Sequence, residues 1–257
     1  MIKWKNRREK GGTPIRYLDI SPLGDNSMII RLGEQADEET HKKVRAVSEC
    51  LSLHPFDGMV EVIPAFTSVA VVYDPARMFL QRDITGSHSE IRYPFERVRD
   101  MLQRIMEQLS ETADRKSRLV EIPVCYGGAY GPDLDQVAEI NRLTPEEVVH
   151  IHSSSEYLVY LIGFAPGFPY LGGMDPRIAA PRRQTPRLAV PSGSVGIAGE
   201  QTGVYPLESP GGWQLIGRTP ISLFVPDQSP PVLVEAGDVI RFYPISRQTF
   251  EEWGEGI

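Results

Sequence analysis

The chain has 257 residues, 41% hydrophobic and 24% charged, proportions of an ordinary globular protein that exclude general disorder. A net charge of −7 and a pI near 5.4 weigh against a nucleic-acid binder, and no run is long and apolar enough to span a membrane. Cys50 and Cys125 are the only cysteines, and their wide separation fits reduced thiols in a cytoplasmic protein.

Residues 1–14 carry Lys3, Lys5, Arg7, Arg8 and Lys10 against Glu9. No apolar run follows, so this is not a signal peptide, and a disordered basic leader is expected. Ile15–Ile20 and Ser27–Leu32 read as strands, joined by the turn residues Pro22-Leu23-Gly24-Asp25-Asn26. From Asp37 to Leu53, Val44, Val47, Ser48 and Leu51 share one helical face, and His54-Pro55 stops the helix. Met59–Ile63 and Phe66–Tyr73 are the next strands, the second ending at Asp74-Pro75. A polar stretch containing Gly86 follows. Phe95, Val98, Met101, Leu102, Ile105, Met106 and Leu109 then recur at helical spacing among charged residues. The order β-β-α-β-β-α predicts a small sheet covered by two helices, an N-terminal α/β domain over residues 15–113. His41, His54 and His88 stand alone in it and read as solvated or locally bonded.

The charged run from Glu111 to Arg118 marks a domain boundary. A second domain, residues 118–257, opens with a strand over Leu119–Val124 and a loop over Tyr126–Pro132. A short helix is expected over Leu134–Ile140. Thr144, Pro145 and Glu147 form a helix start signal, and that helix runs to about His152. Tyr157–Ile162 is a wholly apolar run of strand length. Leu188–Val190, Val195–Ala198, Trp213–Ile216, Ile221–Phe224, Pro231–Glu235 and Asp238–Tyr243 are short runs divided by turn residues, the pattern of a closed or nearly closed β-barrel. The fold class is α+β, a small α/β domain followed by a barrel.

The stretch from Gly163 to Thr219 is dense in glycine, proline, aromatic and polar residues. Short strands joined by rigid loops would hold its polar groups in fixed positions around one shared hollow. No phosphate-binding glycine loop is legible, and Pro191-Ser192-Gly193-Ser194 lacks the glycine that a nucleophile elbow needs. His150 and His152 would diverge by about 200° on a helix, so they are a poor metal pair, and no metal site is expected. His152 falls at a helix C-terminus, where the dipole favours its protonated form; capping and function are both open for it. Arg183, Arg187 and Arg218 lie among loops, where a guanidinium suits a carboxylate or phosphate, or else bonds loop carbonyls. Gln201, Thr202, Tyr205 and Ser209 offer neutral donors and acceptors, and Phe168 and Trp213 offer packing or a ligand platform.

The run Gly163-Phe164-Ala165-Pro166-Gly167-Phe168-Pro169-Tyr170-Leu171-Gly172-Gly173, with His152 to Tyr157, Pro181-Arg182-Arg183, Thr185-Pro186-Arg187 and Val190 to Pro220, resembles the B subunit of the bacterial ATP-dependent 5-oxoprolinases. That family includes the Kip-type sporulation-kinase inhibitors, was formerly labelled as the first of the allophanate hydrolase subunits, and is similar to part of the carboxyltransferase region of urea amidolyase, subdomains C and D. The resemblance covers nearly the whole chain beyond the leader. Ser192 departs from it, since relatives commonly carry alanine there.

The resemblance implies a C-terminal cyclophilin-like barrel and a reaction in which 5-oxoproline, ATP and water give glutamate, ADP and phosphate. It implies ATP as co-substrate, with magnesium an open option and no bound organic cofactor. It implies two partners, the 5-oxoprolinase A subunit and the C subunit, the latter a second cyclophilin-like chain, and it implies a chain inactive alone. By resemblance His152, Gln201, Tyr205 and Arg218 are the catalytic candidates: His152 as an acid–base or orienting group, Gln201 and Tyr205 as readers of the amide, the arginines as anion clamps. Arg183, Arg187, Thr202, Ser209, Phe168 and Trp213 are the substrate-binding candidates. The alternative is a regulator that inhibits a sensor histidine kinase. A prolyl isomerase would follow from the barrel alone and is fold analogy only.

Overall fold

Period-two burial builds the first sheet. A computed structural model describes residues 15–35, 37–80, 93–109 and 117–254. Strand β1 (Asp19–Pro22) pairs antiparallel with β2 (Ser27–Arg31), on which Met28 and Ile30 point inward. Helix α1 (Glu38–Leu53) follows, its first turn capped by Asp37 Oδ1, which accepts from the Thr40 N–H at 2.8 Å. Strands β3 (Met59–Pro64) and β4 (Ser68–Tyr73) complete a fully antiparallel sheet of order β1-β2-β4-β3, and Val69, Val71 and Tyr73 of β4 are buried on one face.

Helix α2 (Pro75–Leu80) has no counterpart in the sequence reading, which ends a strand at Asp74-Pro75. The aspartate caps it by accepting from the Ala76 and Arg77 N–H groups, and proline tolerates the first helical position. Helix α3 (Pro94–Gln108) lays Val98, Leu102 and Met106 on the sheet's core, as its spacing predicts. β1 begins later than the strand read from Ile15, although Ile15 itself is buried in this core. His41 is not solvated: it is buried on the inner face of α1, and burial, aided by Arg45, pushes its pKa down to about 4. The basic leader, the Gly86 stretch with His88, and residues 110–116 lie outside the described residues.

The chain divides into two compact units between Lys116 and Ser117. The second unit opens with β5 (Leu119–Tyr126), α4 (Leu134–Asn141) and α5 (Pro145–Ser154). It continues with β6 (Glu156–Ile162), β7 (Pro169–Gly172) and a single 3-10 turn at Pro176–Ile178. Then come β8 (Arg187–Val190), β9 (Ser194–Ala198), β10 (Gln201–Val204), β11 (Ser209–Gly211), β12 (Gln214–Arg218), β13 (Val239–Pro244) and α6 (Arg247–Gly254). Seven strands close a barrel in the order β10-β7-β6-β13-β5-β12-β9, with β9 pairing back onto β10. Within it β5 and β13 run parallel and the other pairs antiparallel. β8 and β11 form a separate two-stranded ribbon.

The fold is therefore mixed α/β with a closed barrel. Leu171, Val195, Ile197, Val204, Ile216 and Ile240 fill the barrel core. Ile221–Phe224 and Pro231–Glu235 are not strands. They meet at one bridge, Phe224 with Val232, because Pro220, Pro226, Pro230 and Pro231 have no N–H to extend a ladder. No helix among the described residues is long and apolar enough to cross a membrane.

Candidate functional site

β10 sorts the candidate residues by parity. Successive side chains on a strand point to opposite faces. Thr202 and Val204 face the barrel interior, whereas Gln201, Gly203 and Tyr205 face outward. One shared hollow is thereby excluded, and the candidates fall into separate sets.

The interior set centres on His152, at the last turn of α5 and fully buried. The α5 start reads as expected: Thr144 Oγ1 accepts from the Glu147 N–H, and the Glu147 carboxylate accepts from the Thr144 N–H at 2.7 Å. Val148, Ile151 and His152 share its buried face, and the imidazole stacks on Phe242 at 4.7 Å. Its Nδ1 lies 2.8 Å from the Tyr126 hydroxyl and its Nε2 lies 2.9 Å from Thr202 Oγ1. Thr202 also donates to the Gly196 carbonyl at 3.1 Å. A hydroxyl has one proton to give, which assigns the chain of donors. Thr202 donates to Gly196, His152 Nε2–H donates to Thr202, and Tyr126 donates to Nδ1. His152 is thus neutral, and its pKa is lowered to about 3 by burial. The expected charge at the helix end is overturned, since a dipole term of about 0.3–1 kcal/mol is outweighed by desolvation of a fully enclosed ring. Enclosed and with both ring nitrogens engaged, the imidazole links α5 to β10 through Thr202. His150 is exposed, so the two histidines do diverge. No group of three or more metal-ligating side chains occurs among the described residues.

The outer set is an aromatic cluster on the other face of β9 and β10. Gly203 pairs with Gly196, and this side-chain-free patch seats two rings. A Cβ on Gly203 would lie 3.1 Å from both the Phe168 and Trp213 rings, and one on Gly196 would lie 3.1 Å from Trp213 Cβ. Phe168 meets Trp213 edge-on at 5.6 Å and Tyr205 edge-on at 5.4 Å. Phe168 and Trp213 are buried packing residues of this cluster. Before Phe168 the loop turns sharply at Phe164, an exposed ring at φ +67° spanned by the Ala165 N–H donating to Gly163. That is the rare, strained γ-turn.

β11 and β8 border this cluster. Ser209 pairs with Val190, a cluster member, and Gly211 pairs with Arg187. Tyr205 packs so closely on Gly211 that a Cβ there would lie 2.4 Å from its hydroxyl. Burial raises the Tyr205 pKa, so the phenol is neutral.

Arg183 and Arg187 do not stand free. Arg183 Nη1 at 2.9 Å and Arg187 Nη2 at 2.7 Å both donate to Oδ1 of Asp133, whose Oδ2 accepts from the Leu215 N–H at 2.7 Å. The Asp133 N–H donates to the Leu215 carbonyl at 2.9 Å, which fastens the residue to β12. Sequence reasoning misses Asp133. It precedes α4, where an aspartate reads as a helix cap, yet its side chain makes no cap bond and turns to β12 instead.

Gln201 and Arg218 lie at the margins. Gln201 pairs with Ala198, four residues along the strand from Tyr205, or about 13 Å. Arg218 Nε donates to the Ser192 carbonyl at 2.7 Å, and Ser192 Oγ donates to the Pro206 carbonyl at 2.7 Å. The departure at Ser192 thus has a structural use. The structure brings together Phe168, Arg183, Arg187, Tyr205, Ser209 and Trp213; it encloses His152 and Thr202 apart from them.

Residues 18–234 match the family described as carboxyltransferase domain, subdomain C and D. The chain is 49% identical to the 5-oxoprolinase B subunit of Bacillus subtilis, over 94% of this chain and 98% of that one. It is 41% identical to the 5-oxoprolinase B subunit of Escherichia coli, over 86% of this chain and 94% of that one. Among solved structures, a crystal structure of TTHA0988 superposes with a TM-score of 0.71 at 34% identity, covering 86% of this chain but 40% of that one.

Proposed function

The chain belongs to the carboxyltransferase subdomain C and D family, and from that premise we propose that it is the B subunit of an ATP-dependent 5-oxoprolinase, which opens the lactam of 5-oxoproline to glutamate. One observation carries the reading: near-complete mutual coverage at 49% identity with a protein named as that subunit. Relatives at 41% and 38% identity bear the same name. A kinase-inhibitor role has no such support.

A lactam resists hydrolysis because its nitrogen donates into the carbonyl. In the proposed route the amide oxygen attacks the γ-phosphorus of ATP, forming a C–O–P link as ADP leaves. One water adds to the activated carbon and the C–N bond opens, leaving an acyl phosphate. A second water releases glutamate and phosphate. Such a route needs donors that read the amide and cations that meet phosphate charge.

The outer face of β10 and the β8–β11 ribbon offer these groups. Tyr205 supplies a neutral hydroxyl, Arg183 and Arg187 supply cations, and Ser209 lines the same border. Gln201 and Arg218 act from the margins, His152 positions β10 through Thr202, and Phe168 and Trp213 seat the cluster. Magnesium would arrive with ATP. The relatives are named as subunits, which supports further chains in the enzyme; the A and C subunits would be those partners, and the complex would work in the cytoplasm. The two units would be separate domains.

Co-expression with the two candidate partners tests the assembly. The chain is expected to co-elute with them, and the complex to hydrolyse ATP faster when 5-oxoproline is added. A chain that elutes alone and leaves ATP hydrolysis unchanged would contradict it.

A further inference from the structure

We propose that Arg183 and Arg187, tethered by Asp133, form an oxyanion-binding site that takes either the carboxylate of the substrate or a phosphate of ATP. The choice between these two sources rests on the proposed function; the site itself does not.

Charge is the first ground. Two guanidinium groups share one carboxylate oxygen, and the second oxygen is taken by the Leu215 N–H. One positive charge is left uncompensated within this group. The acid is nearly enclosed, its side chain 4% exposed, while the arginine side chains remain 32% and 23% exposed, so part of each stays open to solvent.

Donors point the same way. Arg183 Nε, Arg187 Nη1 and Ser209 Oγ are closed off from solvent with no partner. Buried donors are rarely left unpaired without a reason. Arg118 shows how a purely structural arginine is used in this fold. It grips both oxygens of Asp238 as a fork and also donates to the Leu233 carbonyl, one cation to one anion. Arg183 and Arg187 each give Asp133 a single N–H and keep the rest of the fork. A planar fork with spare N–H groups matches an oxyanion. Tyr205 adds a neutral hydroxyl at the same place, because Gly211, which it touches, is the strand partner of Arg187.

The test has two arms. The purified full chain is titrated with inorganic phosphate at constant ionic strength, with chloride as the balancing ion, and its melting is followed. Phosphate should raise the Tm of the wild type and of Arg177→Gln, which removes a charge from an exposed pair elsewhere in this unit. It should leave Arg183→Gln and Arg187→Gln unmoved, with Arg187→Lys between. Each single substitution leaves Asp133 one arginine, so far-UV circular dichroism should match the wild type.

In the assembled complex, Arg183→Gln and Arg187→Gln should raise one KM by about 10- to 100-fold, the worth of a charge-assisted bond. A rise in the KM for 5-oxoproline identifies the carboxylate; a rise in the KM for ATP identifies a phosphate. Folded variants that bind phosphate like the wild type and leave both KM values unchanged would overturn the site, as would a wild type that phosphate does not stabilise. An inactive wild-type complex whose chain still shows the phosphate shift would sink the 5-oxoprolinase reading and leave the site standing.

Discussion

His152 is prominent in the sequence as a histidine beside the glycine–proline stretch, and the structure makes it a proton sensor of stability instead. Its ordinary pKa of 6.5 falls to about 3 because burial penalises the imidazolium. The folded state therefore favours the neutral ring, and the unfolded chain binds the proton more readily. The stabilisation is complete above pH 6.5 and is lost as pH falls from there toward 3, at up to about 1.4 kcal/mol per pH unit. Urea midpoints followed by far-UV circular dichroism should fall less steeply below pH 6.5 in His152→Gln than in the wild type. Equal slopes in the two proteins would show that the ring does not carry this linkage. His41 shifts in the same direction but lies in the other unit, so the difference between the two proteins isolates His152.

Among the elements, those with a strong local signal are legible in the sequence and those defined by distant partners are not. The spacing of Val98, Leu102 and Met106 announces α3, and Thr144 with Glu147 announces α5. Thr144→Ala removes the cap and should cost about 1 kcal/mol, read as a lower urea midpoint; no loss would mean that α5 is held by packing alone. β7, β10 and β11 stay hidden because their glycines and prolines read as loop, and only barrel closure pairs them. The same cause hides the division of the site. Parity along β10 separates Thr202 from Gln201 and Tyr205, but parity is readable only once residues 201–204 are known to be a strand. Asp133 is invisible because its partners lie 50, 54 and 82 residues away. Gly203 shows what the glycines do here. Gly203→Ala would press a methyl onto Phe168, Trp213 and the Pro169 carbonyl, each 3.1 Å from the new Cβ. The backbone oxygen cannot swing aside, so a loss of about 1–3 kcal/mol is expected in the urea midpoint. An unchanged midpoint would show that the aromatic cluster is looser than its geometry implies.

At the scale of the molecule, the barrel supplies a rigid face and the family supplies the chemistry to be asked of it. A closed sheet fixes Tyr205 on one side and His152 on the other, and β8 with the loop before it brings Arg187 and Arg183 to the outer side. The direct measurement is ATP-dependent release of glutamate from 5-oxoproline by the partner chains, with and without this one. Sustained release is predicted only when this chain is present, and little when it carries Arg187→Gln at substrate levels that saturate neither site. Equal release with the chain omitted would contradict the assignment.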